Sequence, residues 1–115
     1  MGIALLILKI IVGIGTVLSG LCALIAPKSV YGFTGLRTED GRGITEIRAI
    51  LGAFFIGLGG FVLIIRESNT WIMLGVAYLV VALVRFIFMF IDKSVVRSNI
   101  ISLVVELIFG VILVL

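Results

Sequence analysis

The sequence predicts an all-α integral membrane protein, a four-helix bundle whose polar and charged stripe faces inward. Three observations lead there. The 115 residues are 63% hydrophobic and only 13% charged, with a mean hydropathy of +1.45, far less charge than a soluble surface of this size carries. Four apolar stretches, about 3–26, 44–65, 71–91 and 99–115, approach the roughly 20 residues that cross a hydrocarbon core about 30 Å thick. The remaining charges gather in the connections or stand singly inside the stretches. One transmembrane domain over 1–115 is therefore expected.

Helix 1 runs from Ile3 to Ala26 and is closed by Pro27, which cannot continue a helix. Its single charge, Lys9, shares a face with Gly13, Thr16, Gly20 and Ala23. Lys9 either meets an acidic residue or anionic ligand, or snorkels to the nearby interface on its aliphatic stem. Closeness to the helix end favours snorkelling. The stretch lacks a basic leader and a convincing cleavage site, so it is expected to be retained. Cys22, the lone cysteine, cannot form an intramolecular disulfide, and its apolar neighbours predict a buried thiol.

Pro27 to Gly43 is the long connection, with Lys28, Arg37, Glu39, Asp40 and Arg42 and an Asp40-Gly41 turn signal. Val30, Tyr31, Phe33 and Leu36 are interleaved, which predicts packing at the membrane interface; a lid is the other reading. Helix 2 follows, with Thr45 as an N-cap. At about 100° per residue, Glu46 shares a face with Ala49, Ala53, Gly57 and Gly60, and Arg48 with Gly52, Phe55 and Gly59. Small residues on both sides place this helix between others. A carboxylate in a first helical turn is also favoured by the helix dipole alone, which gives Glu46 a purely structural role.

Arg66 to Thr70 is a polar turn in which Asn69 or Thr70 can cap helix 3, and Trp71 falls where an interfacial aromatic belongs. In helix 3, Tyr78, Arg85 and Asp92 recur every seven residues and share one face. Helix 4 carries Asn99, Ser102, Glu106 and Gly110 on one face. Arg85 lies seven residues before Asp92 and Glu106 seven after Asn99, so both sit roughly 10 Å from the same membrane face. Glu46 and Arg48 enter from that face, whereas Lys9 is roughly 25 Å away along helix 1. An unpaired charge at such depth costs about 2.5–3.5 kcal/mol on insertion scales, so Arg85 should pair with Glu106 or Glu46. The pair either fixes helix register or belongs to a binding site.

The block TEIRAILGAFFIGLGG, Arg85 with Asp92, and Glu106 in the last helix resemble a family of small four-helix bacterial membrane proteins of unknown function, usually grouped with the DoxX-like proteins. The resemblance spans nearly the whole chain and implies an integral bundle with inward-facing charges and no established activity. Some DoxX-like relatives are subunits associated with quinone-linked oxidoreductases, so the resemblance also brings a quinone into view as a ligand.

These residues predict a non-enzymatic membrane protein that binds a lipid-like or small anionic ligand, or a partner protein. Glu46, Arg48, Tyr78, Arg85, Asp92 and Glu106 would form its site. The arginines would hold a headgroup and the glutamates would orient them. A small, oligomeric, proton-coupled transporter or channel using Glu46 or Glu106 is the alternative. An enzyme is not expected. The chain has no histidine, no metal-ligand set, no nucleophile–base pair and no phosphate loop, and no cofactor is predicted. The net charge of +3 sits in short loops, where it sets topology and meets lipid headgroups rather than nucleic acid. Lys28, Arg37, Arg42, Lys93 and Arg97 fall on one side and Arg66 on the other. The positive-inside rule then puts both termini outside the plasma membrane. The small residues Gly57, Gly60 and Gly110 predict close helix contact toward the outer face, and so a one-sided pocket on the basic side. Membrane lipid is the expected surrounding partner, and the subunit count, monomer or homo-oligomer, stays open.

Overall fold

The computed structural model describes residues 2–115, and among them there is no strand. Four helices are long and apolar enough to cross a membrane: α1 (Ile3–Ile25), α2 (Gly41–Ile64), α3 (Ser68–Ile91) and α4 (Arg97–Val114). The chain divides into two compact units, Ile10–Ile65 and a second made of residues 2–9 with Arg66–Leu115.

In the first unit α1 and α2 pack through glycines. A Cβ at Gly20 would lie 2.6 Å from the Gly52 carbonyl oxygen, and one at Gly59 would lie 2.8 Å from that of Gly13 and 2.9 Å from the Val17 amide nitrogen. Lipid tails are as apolar as leucine, so helix pairs in a membrane hold by such close backbone approach. The face of α1 that carries Gly13, Thr16, Gly20 and Ala23 is buried, as its spacing predicts. Cys22 lies off that face and is exposed, which corrects the expectation of a buried thiol.

Gly52 and Gly59 carry the α2 side of this contact. A Cβ at Gly57 or Gly60 would meet nothing within 4 Å. Gly57 and Gly60, from which close helix contact was expected, thus take no part in the packing of α2 on α1. The helix also contains a π-helical stretch, Ile47–Ala53, between the α-helical Gly41–Glu46 and Phe54–Ile64. A π turn takes more residues per revolution than an α turn, so residues before it rotate off the face that a regular helix would assign. Arg48 lies within this stretch and is exposed, whereas Gly52 and Gly59 are buried.

The helix starts earlier than its apolar run because Asp40, not Thr45, is the N-cap. Its carboxylate accepts the Gly43 amide at 3.2 Å, so Asp40-Gly41 is a helix start and not a free turn. The connection before it folds into a 3-10 turn at Pro27–Ser29 and one helical turn at Val30–Thr34. Gly35, at φ 77°, ends that turn, and its amide donates to the Tyr31 carbonyl at 3.0 Å. The Tyr31 and Thr38 hydroxyls share a hydrogen bond, and the Arg37 guanidinium stands 5.6 Å from the Tyr31 ring centroid. Phe33 and Leu36 remain exposed, which suits a segment lying in the interface.

In the second unit α3 and α4 cross at Gly75 and Gly110. A Cβ at Gly75 would come within 2.8 Å of Leu113, and one at Gly110 within 2.6 Å of Leu79. Tyr78 meets Phe109 edge to face, with centroids 5.5 Å apart. Trp71 is fully buried, so it is an interior residue and not an interfacial anchor. Helix α3 begins at Ser68 behind Glu67, which makes no side-chain cap, so neither Asn69 nor Thr70 is the N-cap. Lys9 is 3% exposed, which corrects the expectation that it snorkels into the interface.

A Schellman motif ends α3. The Ser94 amide donates to the Met89 carbonyl at 2.8 Å and the Lys93 amide to Phe90 at 3.3 Å, with Lys93 in the left-handed region at φ 54°. The chain then extends through Val96 and enters α4 at Arg97, two residues before the expected start.

Candidate functional site

The α3–α4 pair carries an arginine fork at membrane depth. Arg85 Nε donates to Glu106 Oε1 at 2.8 Å and Nη2 to Oε2 at 2.7 Å, which makes the pair bidentate. Nη1 donates to Asn99 Oδ1 at 2.9 Å. The Asn99 amide in turn donates to the carbonyl and hydroxyl oxygens of Ser94, at 3.0 and 3.1 Å. A continuous chain of hydrogen bonds thus leads from the capped end of α3 to Glu106. Arg85 sits about 10 Å below Asp92, and Glu106 about 13 Å along α4 from Arg97. At that depth pairing removes the large cost of a bare charge, and the second bond of the fork fixes the guanidinium plane.

A guanidinium has five N–H donors, and three are used here. One N–H on each terminal nitrogen remains. The Arg85 side chain is 32% exposed and that of Glu106 12%, so the arginine presents one edge outward while the carboxylate is largely enclosed. Arg85 lines a cavity of about 430 Å³ together with Val80, Val81, Val84, Phe88, Met89, Asp92, Ser94 and Asn99. Val80 and Asp92 are about 18 Å apart along the helix, so the cavity is elongated, with an apolar inner end and a polar outer one.

Of the six residues singled out from sequence, the α3–α4 pair brings Arg85 and Glu106 into contact and places Asp92 in the same cavity wall. Tyr78 does not line the cavity and packs on Phe109. Glu46 is held by Arg42 at 2.5 Å in an exposed i,i+4 pair, and Arg48 is exposed on the π-helical stretch. Ser94 and Asn99 are the polar members that the sequence reading left out of the site. Asn99 had a signal, seven residues before Glu106 on one face; Ser94 had none, because its role depends on the Schellman turn. Among the described residues no group of His, Cys, Asp and Glu is placed to hold a metal ion.

Four helices long and apolar enough to cross a membrane define a small multi-pass α-helical membrane protein. The chain belongs to the family described as Domain of unknown function (DUF4345), whose model matches residues 4–115. The search of curated proteins and the search of solved structures each gave no match.

Proposed function

We propose that this is a non-enzymatic membrane protein that binds a lipid-like molecule along the α3–α4 groove. One observation carries the reading: Arg85, locked by Glu106 and Asn99 and with two N–H groups unspent among the described residues, lines a cavity whose inner wall is apolar. Apolar walls with a few fixed polar groups are what ligand sites offer in general. Proton-coupled transport needs a carboxylate free to gain and lose a proton. Glu106 is forked by Arg85 and Glu46 is held by Arg42, which favours binding. Native mass spectrometry from mild detergent tests this. The wild type should retain an adduct of lipid mass, and Val84→Trp, which fills the groove, should lose it. A wild type without adduct, or an adduct indifferent to Val84→Trp, refutes the site.

The basic residues of the connections support an orientation with Lys28, Arg37, Arg42, Lys93 and Arg97 in the cytoplasm and both ends outside the plasma membrane. Thiol labelling of Ser68→Cys in a Cys22→Ser background should occur from outside only; labelling from the cytoplasm alone reverses the assignment. The DoxX-like grouping is likewise a proposal, supported by the Thr45–Gly60 block with Arg85, Asp92 and Glu106. A DoxX-like structure with no arginine–carboxylate fork between its last two helices would count against it.

A further inference from the structure

We infer that the groove selects a zwitterionic phospholipid with a primary ammonium headgroup over an anionic lipid; the inference rests on the lipid-binding reading. The polar groups at the groove decide it. Arg85 is the one cation in its wall, and Glu106 already takes two of its bonds, so an entering anion meets a guanidinium largely neutralised. Asp92 adds a carboxylate at the outer end, leaving the site with one net negative charge. Lys93 and Arg97 are close in sequence, yet neither forms an ion pair with Asp92 among the described residues. Asp92 therefore has an unanswered carboxylate at the depth of headgroups, where an ammonium can donate to it.

The rest of the ligand follows the shape of the groove. The two unspent N–H groups of Arg85 require acceptor oxygens, which the phosphate or the glycerol esters supply. From Arg85 inward the wall is Val84, Val81 and Val80, which suits an acyl chain lying along α3. A free anion would satisfy Arg85 and leave both Asp92 and the apolar end unmatched. A headgroup with a cation outside and acceptors inside satisfies all three.

The test is competitive retention in native mass spectrometry, with delipidated protein offered phosphatidylethanolamine and phosphatidylglycerol of matched acyl chains. Phosphatidylethanolamine should be retained about tenfold more, the worth of one charge-assisted contact. Asp92→Asn should bring the two to parity with its melting temperature unchanged, since Asp92 makes no side-chain bond among the described residues. Equal or greater retention of phosphatidylglycerol by the wild type overturns the headgroup inference while leaving lipid binding intact. So does a preference that survives Asp92→Asn. Retention of neither lipid overturns the binding reading itself.

Discussion

Arg85→Leu is the most telling perturbation of this protein. It removes three charge-assisted hydrogen bonds and leaves the Glu106 carboxylate, 12% exposed, without its donors, and Asn99 Oδ1 without its partner. Breaking one side of a buried ion pair costs about 3–5 kcal/mol. Arg85 is nearly a third exposed, so the lower end applies, about 3 kcal/mol. Glu106→Gln alone keeps one acceptor for the arginine and should cost about 1–2 kcal/mol. Arg85→Leu with Glu106→Gln removes both charges and leaves an unpaired amide, again about 1–2 kcal/mol. The double-mutant cycle should therefore show a coupling of about 3 kcal/mol, with the double variant more stable than Arg85→Leu. Reversible unfolding in mixed micelles, followed by circular dichroism, measures all four corners. Additive losses, or a double variant no more stable than Arg85→Leu, would refute the argument that pairing holds these charges in the membrane.

Two further predictions concern the backbone. Gly20→Ala and Gly59→Ala should each lower stability by about 1–3 kcal/mol, because the new Cβ meets backbone atoms that cannot move aside. Gly57→Ala, with open space around it, should be neutral or stabilise by up to about 1 kcal/mol through helix propensity. Equal losses at Gly57 and Gly59 in the same unfolding assay would contradict the packing of α1 on α2. Lys93→Gly should stabilise by about 0.5–1 kcal/mol, since the left-handed position that closes α3 strains any residue with a Cβ. A lower melting temperature for Lys93→Gly would show that the lysine side chain contributes more than its backbone strain costs.

Hydropathy and depth are one-dimensional properties, and whatever depends on them can be read along the chain. Four spans, the level of Arg85 against Glu106, and the buried Gly13–Gly20 face of α1 all follow from composition and spacing along a regular helix. Whatever depends on rotation about a helix axis or on local hydrogen bonds is settled by packing. Arg48, which falls in the π-helical stretch, is exposed although a regular helix puts it on the buried Gly52–Gly59 face. Lys9 and Trp71 are buried where position alone suggested the interface, and Cys22 is exposed. Asp40 moved the start of α2 because its carboxylate reaches the Gly43 amide, a preference that Thr45 matches in residue type but not in place. The chain Ser94–Asn99–Arg85–Glu106 exists because a Schellman turn aims Ser94 at α4, and no residue pattern announces a left-handed lysine. Which residues can pair is written in their depth; which do pair is set by how closely the backbones approach.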